Sequence, residues 1–302
     1  MKMFNYLKKP KRILIALFNI NFFWFLPDTI FLKIKYKLLT GKRLNLISPK
    51  SFNEKMQWLK INNRKRIYTT MVDKYCVKDY VANIIGKEYI IPTILVCDSF
   101  NEINFNELPQ KFVIKCTHDS GGLVICKNKY QFNIASAKKK INHYLKRKYF
   151  YIHREWPYKN IKPRIIVEKY LENEKEDSLR DYKFHCFNGK VKYILVCSDR
   201  TTNLKETFFD QNWNVAPFKR PNHDVELKIK KPRNFNKMVE LAEKLSKDMP
   251  FLRVDFYEVN KKIYFGELTF YPASGFSNFE PDCWDEKLGD MINLSMVIDN
   301  EK

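Results

Sequence analysis

Two acidic residues near the end of the chain lie in apolar surroundings. Asp255 falls within Leu252–Tyr257 and Glu267 within Tyr264–Thr269, and both runs are typical of β-strands. A carboxylate among apolar side chains is costly unless a cation meets it. Mg²⁺ is commonly held by one or two carboxylates together with substrate phosphates. The two residues are therefore candidates for a magnesium site.

The turn between the two strands decides whether these carboxylates can act together. A three-residue loop at 260–262 would place Asp255 directly opposite Glu267 on one face of the hairpin. A two-residue turn would place them on opposite faces, because a slip of one residue reverses every side chain. Two exposed carboxylates on an ordinary hairpin remain the alternative, and spacing alone does not decide between them.

A glycine loop at 117–122 is the second candidate. It lies between Phe112–Cys116 and Leu123–Cys126, which predict two strands, and Lys115 lies near the end of the first. A lysine can hold a phosphate as a point charge, and backbone N–H groups of such a loop can bind phosphate oxygens. No G-x-x-x-x-G-K-[ST] occurs, so the loop is not a Walker A motif. Alone, Gly121-Gly122 is also typical of a plain hairpin turn.

Glu168 is the third candidate. It follows the apolar run Ile165–Val167 and precedes Lys169-Tyr170-Leu171, where the chain leaves the predicted strand. A carboxylate at this place could accept a hydrogen bond from an adenine amino group. The alternative is a salt bridge to a neighbouring lysine.

The composition favours a folded protein with anionic partners. The chain has 302 residues, of which 45% are hydrophobic, and 55 Lys and Arg face 34 Asp and Glu for a net charge of +21. The hydrophobic fraction excludes a disordered chain. The charge favours a nucleotide, a nucleic acid, an acidic glycan or an anionic membrane surface. Seven scattered cysteines without a C-x-x-C predict free thiols in a reducing compartment.

The N-terminal segment is basic over 1–12 and nearly apolar over 13–26. No small-residue cleavage site follows, as a signal peptide would require. The apolar run is shorter than the roughly 20 residues of a membrane span. A buried helix is favoured. An interfacial segment helped by Lys8, Lys9, Lys11 and Arg12 is the alternative, and a true span is the third.

Predicted strands and helices are mixed without a regular βαβ alternation, which favours an α+β fold. Ser51 and Glu54 form a capping-box pattern at the start of a helix. Asn188-Gly189 predicts a hairpin turn. The remaining predicted elements are helices at 70–84, 135–148 and 235–248, strands at 90–96 and 164–171, a loop at 172–180 and an irregular stretch at 200–233.

The three candidates, taken in order, resemble the nucleotide-site motifs of the ATP-grasp superfamily: Phe112–Gly122, Ile166–Leu171 and Arg253–Gly275. Together with Ser51–Lys60 and Val72–Tyr75, they resemble the TupA-like ATP-grasp family of teichuronopeptide, capsule and O-antigen polysaccharide loci. The resemblance covers roughly residues 30–290. It implies an ATP-grasp fold with ATP between a central and a C-terminal lobe. It also implies a carboxylate–amine ligase that uses ATP to form an amide through an acyl phosphate.

The same resemblance implies ATP and Mg²⁺ as cofactors and a role for each motif. Thr269 stands where many superfamily members carry Asn, and its hydroxyl could still coordinate a metal or hold a metal-bound water. The implied catalytic residues are Arg253, Lys115, Ser274 and Gly275, and the implied metal ligands are Asp255, Glu267 and Thr269. The implied nucleotide-binding residues are Lys115, His118, Ser120, Gly121, Gly122, Glu168, Lys169, Tyr170, Leu171, Asp181 and Lys183.

We expect three domains: an α-rich region at 1–108 with a segment suited to a membrane surface, a central lobe with the glycine lid at 109–171, and a C-terminal lobe with the Mg²⁺ site at 172–302. A cytoplasmic protein, peripheral at the inner face of the membrane, fits this organisation.

The expected partners are an acidic saccharide acceptor, a small amine and an anionic membrane surface. Lys55, Lys60 and Lys74 either face the glycan or lie on a solvated helix face. A glycosyltransferase is the alternative function, although the chain lacks a D-x-D motif. Nucleic acid is not expected, because charge and interleaved aromatic residues alone would leave the 253–275 pattern unexplained.

Overall fold

The computed structural model of the protein describes residues 10–172, 179–198 and 204–298. The α-helices in these ranges are α1 (Pro10–Asn19), α2 (Asp28–Thr40), α3 (Phe52–Asn62), α4 (Ile67–Val72), α5 (Cys76–Ile85), α6 (Ile134–Leu145), α7 (Phe150–His153), α8 (Phe235–Leu245), α9 (Trp284–Asp290) and α10 (Ser295–Ile298). The strands are β1 (Thr93–Cys97), β2 (Phe112–Cys116), β3 (Leu123–Cys126), β4 (Ile165–Lys169), β5 (Asp181–Phe187), β6 (Lys190–Ser198), β7 (Lys205–Asp210), β8 (Phe251–Val259) and β9 (Lys262–Thr269). Most of the predicted 172–180 loop lies outside the described residues.

The first sheet is antiparallel, with the strand order β1-β4-β2-β3. Its core joins Phe112, Ile114 and Ile165 to Ile141 of α6. Strands β2 and β3 have the predicted bounds, and β1 and β4 confirm the other two predicted strands within a few residues. The division into 1–108, 109–171 and 172–302 stays a prediction. Strand β1 comes from the first of these ranges and pairs with β4.

The second sheet is also antiparallel, with the order β7-β6-β5-β8-β9. Helix α8 packs its buried face against it. The predicted Asn188-Gly189 turn joins β5 to β6, with φ of 49° and 76° at its two residues, as a type I′ turn requires. The prediction that 200–233 is irregular is wrong at β7. This edge strand buries four consecutive residues, so it lacks the alternating pattern that marks a strand.

Helices α1 and α2 pack around a small aromatic core of Phe18, Phe31 and Tyr36. The apolar stretch at 13–26 is not one helix, since α1 ends at Asn19 and turns follow. Among the residues that the structure describes, no helix has the length and apolar character of a membrane span. The favoured buried helix is therefore wrong for this stretch, because Phe18 is its one buried residue, and Ile20, Phe22, Trp24 and Phe25 are exposed.

The predicted helix at 70–84 is two helices, α4 and α5, separated at Asp73. Asp73 Oδ1 accepts hydrogen bonds from the backbone N–H groups of Tyr75 (2.8 Å) and Cys76 (3.1 Å) and so caps α5. Its Oδ2 pairs with Arg164. The Ser51–Glu54 capping box is confirmed at the start of α3. All seven cysteines are free, as predicted.

Lys35 makes the stability of the helical region depend on pH. Its Nζ donates to Asn19 Oδ1 (3.0 Å) and to the carbonyl of Ile152 (2.6 Å). Burial, together with the charges of Lys60 and Arg154, lowers the pKa of Lys35 from 10.5 to about 7. The unfolded chain therefore binds more protons than the folded one between these values, and stability rises with pH across that window.

We expect Lys35→Met to flatten the rise of Tm between pH 7 and pH 9, measured by thermal unfolding at matched ionic strength. Lys33→Met changes an exposed lysine of the same helix and is the control. Parallel Tm–pH curves for Lys35→Met and the unaltered chain would contradict this reading.

Candidate active site

A cleft of about 300 Å³ lies between the two sheets. The first sheet contributes β2, β4 and the loop after β2, and the second contributes β5, β8 and β9. Helix α5 and the segment before it close one side. The lining residues are Lys74, Val77, Lys78, Ile90, Ile91, Lys115, Asp119, Ser120, Gly121, Gly122, Leu123, Glu168, Asp181, Lys183, Tyr257, Phe265, Gly266 and Glu267.

The β8–β9 hairpin places Asp255 opposite Glu267 through a two-residue turn combined with a β-bulge. Its turn has two residues, Asn260 and Lys261, with φ of 50° and 68°, so of the two alternatives the two-residue turn forms. A bulge follows, because Phe256 pairs with Phe265 whereas Asp255 pairs with Glu267, which leaves Gly266 unpaired. The extra residue restores the register that the short turn would have shifted. The predicted opposition of Asp255 and Glu267 is confirmed.

A network of buried charges surrounds this pair. Arg253 donates to both oxygens of Asp255 and to Glu267 Oε1, each at 2.7 Å. Lys183 Nζ donates to Asp181 Oδ2 and Asp255 Oδ2, each at 2.6 Å. Burial lowers the pKa of both cations, but the neighbouring carboxylates, Asp255 first, outweigh it, and the net shift is upward. Three carboxylates face two cations, so the network keeps one net negative charge.

The donor set of this network fits Mg²⁺ only together with a phosphate ligand. Asp255 is buried, whereas the side chain of Glu267 is 44% exposed and lines the cleft. Thr269 Oγ1 lies 3.4 Å from Glu267 Oε1. Across residues 10–172, 179–198 and 204–298, no group of three or more His, Cys, Asp or Glu could hold a metal. Two carboxylates and a hydroxyl match the way in which Mg²⁺ binds beside substrate phosphates.

Lysines from both sides of the cleft meet at Glu168. Lys115 Nζ lies 2.5 Å from Glu168 Oε2, and Lys78 pairs with Oε1. Lys78 also donates to the carbonyl of Ile91 at 2.8 Å. Burial raises the pKa of Glu168, but the two lysines, Lys115 first, lower it by more than burial raises it, so the net shift is downward. The salt bridge considered for Glu168 is therefore present, and it lies within the cleft.

Lys74 lies in the cleft and not on a solvated helix face. Its Nζ donates to the carbonyl of Asp119 at 2.6 Å, and its backbone N–H donates to Thr117. Burial lowers its pKa, and the nearby Glu267 carboxylate opposes that shift. Lys74 therefore ties the glycine loop to the segment between α4 and α5.

The glycine loop is both a hairpin turn and a wall of the cleft. Gly122 accepts from the Cys116 N–H at 2.7 Å, and a Cβ on Gly122 would lie 2.7 Å from Cys116 Sγ. His118 lies behind this wall. Its Nε2 is 3.1 Å from the carbonyl of Arg147, and burial lowers its pKa, which favours the neutral imidazole.

The Pro272–Gly275 segment has a left-handed backbone conformation, and Gln57 of helix α3 bonds to its carbonyls. Ala273, Ser274 and Gly275 have φ of 46°, 55° and 66°, a left-handed run that costs energy at the two non-glycine residues. Gln57 Nε2 donates to the carbonyls of Ser274 (3.1 Å) and Gly275 (2.6 Å). A Cβ on Gly275 would lie 2.6 Å from Gln57 Nε2.

Lys60 supports the same segment from within the protein. It is fully buried, and its Nζ donates to Ser274 O (2.8 Å), His153 O (2.9 Å) and Gln57 Oε1 (2.9 Å). The expectation that Lys60 faces a glycan or solvent is wrong, and Lys55 likewise donates to the carbonyls of Gly289 and Ile292. Glu155, which is also buried, accepts from Ser274 Oγ at 2.6 Å, and burial raises its pKa.

The structure brings most of the predicted residues to one place. Lys115, Ser120, Gly121, Gly122, Glu168, Asp181, Lys183 and Glu267 line the cleft, and Arg253 and Asp255 bond directly to that lining. His118, Lys169, Tyr170, Leu171, Thr269, Ser274 and Gly275 are not part of the lining. The residues that the sequence reading did not assign to the site include Lys78, Asp119 and Glu155. The sequence around these three residues gives little sign of a role in the site. Lys74 and Gln57 were not assigned to it either, although both lie in motifs that carry the family resemblance.

A cleft between two antiparallel sheets, lined by four lysines and with a carboxylate pair on one wall, matches the arrangement that the ATP-grasp resemblance implies. Residues 54–293 match the model of the TupA-like ATPgrasp family, and the chain belongs to this family. The predicted α+β, ATP-grasp fold class is confirmed.

The solved structures to which this chain is similar are distant in sequence. The D-alanine–D-alanine ligase from Helicobacter pylori is 13% identical, with 83% of this chain and 69% of that chain covered and a TM-score of 0.42. The Bacillus anthracis enzyme complexed with ATP is 16% identical, with coverages of 78% and 69% and a TM-score of 0.44. The biotin carboxylase domain of the Hydrogenobacter thermophilus 2-oxoglutarate carboxylase, with MgADP, is 16% identical, with coverages of 67% and 40% and a TM-score of 0.36. No curated protein matches the sequence.

Proposed function

We propose that this protein is an ATP-dependent carboxylate–amine ligase. It would form an amide, through an acyl phosphate, on uronic acid units of a capsular, O-antigen or teichuronic-type polysaccharide. The observation that carries the proposal is the cleft between the sheets, where Lys74, Lys115 and Lys183 face the Asp255–Glu267 pair. Membership of the TupA-like family supports the ligase class, and the resemblance to polysaccharide loci supports the substrate.

The nucleotide would lie along the cleft with its charge at the lysine end. Lys74, Lys115 and Lys183 supply positive charge, and Ser120 to Gly122 bring backbone groups to the same wall. Val77, Ile90 and Ile91 form an apolar wall suited to the adenine ring. Glu168 lies near this wall, since its partner Lys78 also bonds to Ile91. This arrangement supports the predicted roles of Ser120, Gly121, Gly122 and Glu168, which line the cleft.

Asp255, Glu267 and Thr269 would hold Mg²⁺ with the help of phosphate oxygens. When bound, the ion would shield the triphosphate and stabilise charge on the transferring γ-phosphoryl group. Arg253 bonds to both carboxylates and so lies beside the proposed metal site, where it would stabilise the same charge. Lys183 holds the Asp255 carboxylate in place through its hydrogen bond of 2.6 Å.

The reaction would proceed in two balanced steps. A carboxylate oxygen of the uronic acid attacks the γ-phosphorus, and the bond to the β-phosphate oxygen breaks to release ADP. The amine nitrogen then attacks the acyl carbon, phosphate leaves with the electrons of the C–O bond, and the nitrogen loses a proton. Positioning and charge neutralisation carry most of such catalysis. The Ser274–Gly275 backbone, which Gln57 and Lys60 hold, would position the acceptor carboxylate.

The direct test is ADP release with Mg-ATP, D-glucuronic or D-galacturonic acid, their nucleotide-linked forms, and hydroxylamine as the amine. Hydroxylamine is a small strong nucleophile and converts an acyl phosphate into a hydroxamate that is easily measured. We expect ADP and hydroxamate in equal amounts, and ADP formation that depends on the carboxylate. Consumption of a sugar nucleotide without ADP would support a glycosyltransferase instead, and an absence of both across the panel would contradict the proposal.

Lys115→Met is expected to raise the KM for ATP by about 10-fold or more, because a charge-assisted phosphate contact is lost. Lys111→Met is the matched control. Lys111 is an exposed lysine that directly precedes the same strand, β2, and it pairs with Glu172. ATP titrations of both variants measure the difference. Equal KM values for the two variants would remove Lys115 from the phosphate site.

A further inference from the structure

The loop between α1 and α2 presents apolar side chains to solvent. Ile20, Phe22, Trp24 and Phe25 are between 56% and 70% exposed. The intervening Phe23 points the other way and packs against Phe18, with ring centroids 4.5 Å apart. The loop therefore divides its side chains between a small core and the surface.

A buried arginine holds this loop in one conformation. Arg154 Nη2 donates to the carbonyls of Phe23 (3.0 Å), Trp24 (3.1 Å) and Leu26 (3.1 Å). Its guanidinium lies over the ring of Phe31 at 4.3 Å and pairs with Asp28. A buried guanidinium requires such partners. These three bonds hold the backbone of the loop at Phe23, Trp24 and Leu26.

Helix α2 extends the same kind of surface. Ile30, Lys33, Ile34 and Lys37 are all exposed and recur at the spacing of one helix face. Residues 10–40 contain a single acidic residue, Asp28, and it pairs with Arg64 and Arg154. Aromatic and aliphatic tips beside lysines, without a free carboxylate, are typical of segments that lie in a membrane interface.

We propose that this docking surface, formed by Ile20, Phe22, Trp24, Phe25, Ile30, Lys33, Ile34 and Lys37, binds the face of an anionic lipid bilayer. The rings insert at the level of the head groups, and the lysines bind lipid phosphates. The charge of the surface selects an anionic bilayer over a neutral one. Binding is interfacial, because none of the helices in the described ranges could span a membrane.

The test uses the full chain and vesicles of phosphatidylcholine alone or mixed equally with phosphatidylglycerol. We expect the chain to sediment with the anionic vesicles and to be released as salt rises. Phe22→Ser/Trp24→Ser/Phe25→Ser should lower the partition coefficient by at least 10-fold. Lys33→Gln/Lys37→Gln should lower it several-fold. Ile47→Ser/Leu227→Ser removes two exposed apolar residues elsewhere and should bind as the unaltered chain does.

Tryptophan fluorescence gives a second readout, and it needs only the conservative change Trp24→Phe. The chain has five tryptophans. Brominated lipids should quench part of the emission of the unaltered chain, and Trp24→Phe should abolish the quenched part while binding persists. Failure of the unaltered chain to bind anionic vesicles, or undiminished binding by the triple variant, would overturn the proposal. So would self-association that the triple variant abolishes without any vesicle binding, since the surface would then be an interface between copies.

Discussion

Glu267→Gln is expected to lower kcat in the ADP-release assay by about 10²–10³-fold, the usual loss when one charge-stabilising group is removed. Glu267 is the one carboxylate of the Asp255–Glu267 pair whose side chain is substantially exposed to the cleft. An amide oxygen is a weaker magnesium ligand than a carboxylate and carries no charge, so the Mg²⁺ concentration needed for half activity should rise as well.

The fold should survive this change. Glu267 is 44% exposed, so its ion pair with the buried Arg253 contributes on the order of 1 kcal/mol, and the Arg253–Asp255 bonds remain in the variant. Glu258→Gln on the same hairpin is the matched control, because Glu258 accepts only from Asn234 at 3.1 Å and does not line the cleft. A large drop of Tm in Glu267→Gln, or equal kinetics in the two variants, would contradict the assigned role.

Lys60→Met is expected to damage both stability and activity. The change removes one donor from the carbonyl of His153 and leaves the carbonyl of Ser274 with the longer bond from Gln57 (3.1 Å). It also removes Lys60, the cation that most lowers the pKa of the buried Glu155. Such losses total about 3 kcal/mol or more, which corresponds to a Tm lower by roughly 6–12 °C. A shift of the Ser274–Gly275 backbone by about 1 Å would lower kcat by roughly 100-fold.

Two further variants separate these effects. Lys50→Met changes an exposed lysine at the start of the same helical region and should be neutral. Lys60→Met/Glu155→Gln removes both buried charges, so we expect it to recover part of the Tm but little of the kcat. Full recovery of kcat in the double variant would show that the Ser274–Gly275 conformation does not depend on Lys60.

The β8–β9 hairpin shows why the sequence could indicate a pair of residues without deciding the turn between them. The apolar neighbours of Asp255 and Glu267 indicated that both carboxylates need a cation. That argument does not depend on the length of the turn between the two strands. The turn length could not be read, because a two-residue turn with a bulge and a three-residue loop give the same net register. Gly266 was the available signal for the bulge, since glycine within a strand often marks one.

Residues whose partners are distant in the chain were the least predictable. Lys60 resembles any other basic residue on a helix, yet two of its three acceptors are the carbonyls of the distant residues His153 and Ser274. Glu155 belongs to no motif in the sequence, and its role becomes visible only through the hydrogen bond that it accepts from Ser274 Oγ. The left-handed run at 273–275 is also a tertiary effect, because alanine and serine do not favour it. By contrast, β2, β3 and the Asn188-Gly189 turn depend on local pattern and were predicted closely.

The most direct test of the account is a crystal structure of the full chain with Mg²⁺ and a non-hydrolysable ATP analogue. We predict that the triphosphate lies between the sheets against Lys74, Lys115 and Lys183, with a cation held by Asp255 and Glu267. A structure in which the analogue lies elsewhere, while Arg253 still bridges the two carboxylates and no cation or phosphate is near, would contradict it.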